Sequence, residues 1–155
     1  MTQTINVNGV DIAYRFDGPS DAPVLMLSNS LMSNLSMWDP QIKAFSKVYR
    51  VLRYDTRGHG SSAVPLGPYS IDMLGEDAAA LIEKLNLNQV HFCGLSLGGM
   101  VGQYLGARHG DKLNSLVLCD TACVMPPASL WDDRIQQVCE NGTGAVVTAT
   151  LERWF

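Results

Sequence analysis

Gly94-Leu95-Ser96-Leu97-Gly98, followed at once by Gly99, is the stretch with the clearest chemical content. A serine flanked by glycine two residues away on each side suits a sharp strand-to-helix turn. The two backbones approach too closely there to leave room for a Cβ. Such a turn holds the serine in a strained conformation and exposes its Oγ. It also sets the serine beside a helix N-terminus, whose partial positive charge favours a developing oxyanion. Ser96 is the candidate nucleophile and acyl transfer the candidate chemistry. A glycine-rich packing turn is the plain alternative.

Two other stretches belong with this one. Asn29-Ser30-Leu31 closes a short apolar run, where an enzyme of this kind places a second oxyanion donor. Asp55-Thr56-Arg57-Gly58-His59-Gly60-Ser61 closes the next apolar run. Open α/β sheets bind ligands at the carboxyl ends of such strands. His59 is the histidine that a nucleophilic serine would want as base, yet in a glycine-flanked loop a structural role competes with that one. His91 lies in an apolar strand and is expected to face the sheet interior. His109 ends a helix, where a cation is favourable, so both read as structural. Cys93, Cys119, Cys123 and Cys139 have no accompanying histidine spacing, and three lie in or beside apolar runs. They are expected to be buried free thiols, with no metal site.

The elements that must position these residues follow from periodicity. Runs at 5–7 and 10–16 flank Asn8-Gly9, a dipeptide suited to a type I′ hairpin. Val24–Ser28, Arg50–Tyr54, Val90–Leu95 and Leu113–Cys119 are short apolar runs bounded by polar residues, as strands buried on both faces are. Helices are expected over 38–47 and 97–109. Another is marked by Ile71, Leu74, Ala78, Leu81, Ile82 and Leu85, with Ser70 placed to cap it. Gly98, Gly102 and Gly106 lie four apart on one face of the helix after Ser96, which predicts close packing on the sheet. The alternation of strand and helix is that of βαβ units, so the fold class is α/β with a mostly parallel sheet. After Asp120 the pattern changes: residues 1–124 read as a core, and 125–155 as two helices near 128–140 and 143–155.

Composition excludes several partners. The chain has 155 residues, 46% of them hydrophobic and 17% charged, with a net charge of −4. No Lys/Arg cluster offers a phosphate-binding surface, so nucleic acid is not an expected partner. No apolar run is long enough to span a membrane, and MTQTINVNGV has neither the basic start nor the apolar run of a signal peptide. A cytoplasmic location is expected.

These residues resemble the α/β-hydrolase superfamily. The strings LSNSL, SMWDPQ, RVLRYDTRGHGSS, PYSIDMLGED, HFCGLSLGGMVGQYLG and ERWF resemble, within it, the 3-oxoadipate enol-lactonase family. The resemblance covers essentially the whole chain. It implies a cofactor-independent hydrolase that opens a lactone to 3-oxoadipate in bacterial degradation of aromatic acids. It assigns the nucleophile to Ser96, the oxyanion amides to Leu97 and Leu31, and the elbow to Gly94, Gly98 and Gly99. It further implies that the helices after Asp120 begin a cap, bringing Trp131, Arg134 and Trp154 toward substrate together with Asn29 and Ser30.

In this family the triad acid and histidine follow the cap, and no residue here matches either. The chain is expected to be the N-terminal part of an enzyme and weakly active or inactive alone. Asp120 is a candidate substitute acid. Another carboxylic-ester hydrolase, an acyltransferase or a perhydrolase on the same elbow stays open. So does an inactive fragment serving as a binding or association module. Without a later strand, Leu113–Cys119 would be an edge exposing Leu116, Val117 and Leu118 with no Lys, Pro or bulge to blunt it, so self-association is expected.

Overall fold

The computed structural model describes residues 1–125, 127 and 129–154. Six strands form one sheet: β1 (Gln3–Val7), β2 (Val10–Asp17), β3 (Val24–Ser28), β4 (Arg50–Tyr54), β5 (Val90–Leu95) and β6 (Leu113–Cys119). Their order across the sheet is β1-β2-β4-β3-β5-β6. The hairpin β1–β2 and the pair β2–β4 are antiparallel; β4, β3, β5 and β6 are mutually parallel. Asn8 and Gly9 have φ of 51° and 80°, the left-handed pair that a type I′ turn requires.

Helix α1 (Asp39–Phe45) follows a 3-10 turn, Leu35–Trp38. Helices α2 (Ile71–Lys84) and α3 (Leu97–Arg108) complete the layer architecture. The expected helix at 38–47 is shorter because Asn34 caps the preceding 3-10 turn, and Asp39-Pro40 starts a new segment. Ser70 Oγ accepts from Met73 N at 3.1 Å and caps α2, an interaction worth about 1 kcal/mol.

Alternation along the strands divides the core between the two sheet faces. Met26, Leu52, Tyr54 and Phe92 pack with Leu74, Ala78, Leu81, Val101 and Leu105 of α2 and α3. Leu25, Leu27 and Val51 pack on the other face with Trp38, Ile42 and Phe45. The β3-to-β4 crossover runs one way across the sheet, and the β4-to-β5 crossover passes back beyond β3. The topological switch point therefore lies at the carboxyl ends of β3 and β5, the place where open α/β sheets hold ligands.

The chain divides into two compact units, Met1–Cys123 and Val124–Phe155. The second holds α4 (Ser129–Asn141), a 3-10 turn at Thr143–Val146 and α5 (Val147–Trp154). Ala128 and Phe155, the outer residues of the two helices expected there, lie outside the described residues.

Three sequence expectations need correction. None of the four cysteines is buried: Cys93 and Cys119 are half-buried, Cys123 and Cys139 exposed. Cys93, on internal strand β5, packs against the Leu25, Leu27, Trp38 and Val51 cluster without being enclosed by it, Cys119 ends edge strand β6, and Cys123 and Cys139 follow the last strand. His91 does not face the interior. It is half-exposed, bonded through Nδ1 to Ser115 Oγ at 2.8 Å and set edge-on to Tyr49. The β6 edge does carry an irregularity: Val90 pairs with Leu113 and His91 with Ser115, so Asn114 is an extra residue in the ladder.

Candidate active site

Strand β5 passes into α3 through Ser96 alone, with φ 54° and ψ −111°. Three hydrogen bonds hold this residue's backbone. Ser96 N donates to Cys119 O at 2.9 Å, and Ser96 O accepts from Met100 N at 3.1 Å and from Thr121 Oγ1 at 2.7 Å. The glycines explain the turn's tightness. A Cβ on Gly94 would overlap the carbonyl of Gly98, one on Gly98 the carbonyl of Ser28, and one on Gly99 the side chain of Thr121. Farther along the same helix face, a Cβ on Gly102 or Gly106 would press on Leu116 of β6, which is the close packing that the four-residue spacing predicts.

Strain marks this edge of the sheet. Of the non-glycine residues with positive φ, Asn8 serves the hairpin and Asn86 follows α2. Met32 (60°), Ser96 (54°) and Asp120 (41°) come after β3, β5 and β6 respectively. Unfavourable backbone conformations of this kind collect at functional sites. The Ser96 hydroxyl makes no hydrogen bond among the described residues.

The segment after β3 is tied down from within. Asn29, 2% exposed, donates through Nδ2 to Tyr54 O at 2.8 Å and accepts from Trp38 Nε1 at 2.9 Å. Its side chain is thus turned inward, bridging β3, β4 and the 3-10 turn. Ser30 is buried, and its N–H donates to Met37 Sδ at 3.4 Å; Ser33 Oγ reaches the same sulfur at 3.0 Å. The Leu31 amide makes no such bond among the described residues. Leu97 N precedes the first intrahelical bond of α3, as the first amides of any helix do. Two uncommitted amides therefore stand at the switch point.

The loop after β4 is a lock. Asp55, 2% exposed, accepts from Leu35 N at 2.6 Å and from Ser61 N at 2.8 Å. Gly60 is required because its missing Cβ leaves the space that the Asp55 carboxylate fills. Ser62 Oγ donates to Asp55 O and accepts from Ala13 N. Arg57 forms a bidentate pair with Asp77 of α2, at 2.5 and 2.6 Å, and that carboxylate holds the guanidinium above its ordinary range. The D-x-R-G-H-G-x-S string is thus a structural clasp between the Leu35 segment and α2.

None of the three histidines bonds to Ser96. His59 Nδ1 lies 3.1 Å from Arg57 O, and His109 Nε2 lies 2.9 Å from Glu76 Oε1 at the far end of α3. Asp120 is exposed, immediately after the residue whose carbonyl holds Ser96 N. In the second unit, Arg134 lies 5.7 Å from the Trp131 ring centroid and donates to Thr150 Oγ1 at 3.1 Å; Trp154 is 49% exposed. Among the described residues no group of three or more His, Cys, Asp or Glu side chains could hold a metal ion.

Sequence reasoning did not single out Tyr54 or Thr121. The Tyr54 hydroxyl bonds Ser28 Oγ at 2.8 Å beneath the site, and burial pushes its pKa well up. Its position just before Asp55 was the available signal. Thr121 had none, since its contact with Ser96 depends on how β6 ends.

A strained serine at a strand-to-helix turn, at the switch point of a doubly wound sheet, defines a class. The family model for the alpha/beta hydrolase fold matches residues 23–139, and the chain belongs to that family. It is 42% identical over 152 residues to 3-oxoadipate enol-lactonase 2 of Acinetobacter baylyi, covering 98% of this chain and 57% of that protein. The enol-lactonase structure from Burkholderia xenovorans superposes with a TM-score of 0.95 at 45% identity, over 99% of this chain and 60% of that one. A hydrolase structure from Pseudomonas aeruginosa gives 0.94 at 42% identity, over 99% and 59%. The chain thus spans rather less than two thirds of the length of these relatives.

Proposed function

We propose that this chain carries the nucleophile half of a serine hydrolase that opens a lactone, with 3-oxoadipate enol-lactone as the named substrate. The observation that carries the reading is Ser96. It is held at positive φ by three hydrogen bonds to its backbone, and among the described residues its hydroxyl and the amides of Leu97 and Leu31 on the same sheet edge have no partner. The names of the relatives supply the substrate class.

In this mechanism Ser96 Oγ adds to the lactone carbonyl while Leu97 N–H and Leu31 N–H receive the oxyanion. Collapse breaks the ring C–O bond and leaves an acyl-serine, which water cleaves to the open acid. Removal of the serine proton needs a base, and all three histidines are engaged elsewhere. Asp120 is the proposed acid for an incoming histidine. Asn29 and Ser30 shape the wall behind the oxyanion amides, and the family resemblance proposes Trp131, Arg134 and Trp154 as further substrate-binding residues.

Ring opening of the enol-lactone, followed with the wild-type chain and Ser96→Ala, tests the reading. Weak turnover that disappears in the variant is expected; turnover surviving the substitution overturns it. Binding of lactone without turnover in either protein would favour the alternative, a binding or association module. Turnover of simple esters but not of the lactone would favour a general ester hydrolase.

A further inference from the structure

The Sγ atoms of Cys93 and Cys119 lie 3.9 Å apart on the same face of the sheet, on adjacent strands β5 and β6. Both thiols are free and half-buried. Neither takes part in the reaction proposed above, yet they flank Ser96 through its own backbone: Ser96 N donates to Cys119 O, and Thr121, two residues further on, donates to Ser96 O. A metal does not account for the pair, since no further ligand joins it among the described residues.

We propose that Cys93 and Cys119 are a redox modification site, which peroxide joins in a reversible, strained disulfide that draws on the segment holding Ser96. The strain follows from register. Cys93 pairs with Val117 and Leu95 with Cys119, so the two cysteines are diagonal neighbours. An offset of two residues along strands about 4.8 Å apart puts the two Cα atoms about 8 Å apart, whereas a disulfide prefers about 4.4–6.8 Å. Bond formation must therefore bring Cys119 toward β5. Cys119 is free to respond, because it is the last residue of an edge strand and Asp120 beyond it already bends away at φ 41°. Strained disulfides are the readily reduced, labile ones.

Each step balances. Cys119, as thiolate, attacks one peroxide oxygen; the O–O bond breaks, and the departing hydroxide takes up the proton Cys119 released, giving water and a sulfenic acid. Burial pushes the Cys93 thiol up to about 12, which leaves Cys93 as the resolving partner. Its sulfur displaces the sulfenic hydroxyl, forming S–S and breaking S–O, and its proton leaves with that hydroxyl as a second water. Two electrons pass from the sulfurs to the peroxide. A dithiol reverses the change.

The test uses the chain with Cys123→Ser and Cys139→Ser, which removes the exposed competitors and leaves this pair. After limited hydrogen peroxide, loss of both thiols together is expected. The monomer should lose the mass of two hydrogens, a peptide linking Cys93 to Cys119 should appear, and dithiothreitol should restore both thiols. Hydrogen exchange at the Ser96 amide should rise in the oxidised form and return on reduction. Cys119 converted to sulfinic acid while Cys93 stays a thiol, or both thiols unchanged, overturns the site. A mapped link without altered exchange at Ser96 overturns its grip on the turn. Adding Cys93→Ser should abolish the link, and if that variant fails to fold, the mapping in the first background still decides.

Discussion

The Cα of Gly98 faces the carbonyl of Ser28 so closely that no side chain fits between them. This one contact joins the end of β3 to the first turn of α3 and so sets the spacing between the two proposed oxyanion amides. Gly98→Ala must therefore push β3 and α3 apart, at about 1–3 kcal/mol for an overpacked site. Gly110→Ala, with open space around its Cβ, should stay within about 0.5 kcal/mol of wild type. Urea midpoints of the two variants check this, and equal midpoints would remove the steric account of the turn.

Asp77 is 3% exposed and binds Arg57 bidentately while accepting Asn8 Nδ2 at 3.1 Å. Asp77→Ala leaves the buried Arg57 without its counter-ion and should cost about 3–5 kcal/mol. Replacing both partners together, Arg57→Met with Asp77→Leu, should recover much of that loss. Chemical denaturation of the single and double variants provides the comparison.

Alkaline pH should destabilise the chain. Burial raises the pKa of Tyr54 from 10.0, and Cys93 is raised from 9.0 to about 12. For both groups the folded state keeps a proton that the unfolded state has lost, so stability falls as pH rises through 9 and then through 10. At neutral pH both groups are protonated in either state and contribute no slope. Tyr54→Phe should flatten the loss above pH 10, by about 1.4 kcal/mol per pH unit at most, and Cys93→Ala the earlier part. Stability measured from pH 7 to 11 checks the sign.

Without a histidine bonded to Ser96, the chain should hydrolyse p-nitrophenyl acetate orders of magnitude below a complete triad enzyme. What remains is residual catalysis from oxyanion and binding groups. Full-scale turnover lost on His59→Ala would identify His59 as a resident base.

Edge strand β6 leaves Val117 and Leu118 at 49% and 42% exposure. The Asn114 irregularity blunts only its amino end, so the outer edge of Ser115–Cys119 stays regular and, among the described residues, without a partner strand. The expected outcome is self-association that grows with concentration in light scattering and weakens in Val117→Lys. A monomer at all concentrations would overturn it.

By itself the sequence determined the order and kind of the core elements, the hairpin at Asn8-Gly9, the cap at Ser70 and the turn at Ser96. Each depends on local chemistry: a left-handed φ, a hydroxyl against an orphan amide, a crowded turn without a Cβ. It also determined that Gly98, Gly102 and Gly106 face the sheet, because spacing along a helix fixes the face. Tertiary structure alone decided what lies across strands. The clasp of Asp55 on Leu35, the inward turn of Asn29, the grip of Thr121 on Ser96 and the approach of Cys93 to Cys119 all join residues far apart in the chain. The half-buried state of those cysteines, expected to be buried, was decided the same way. An apolar run shows that a strand is present but not how deeply each of its side chains is covered, because that depends on which elements pack over it.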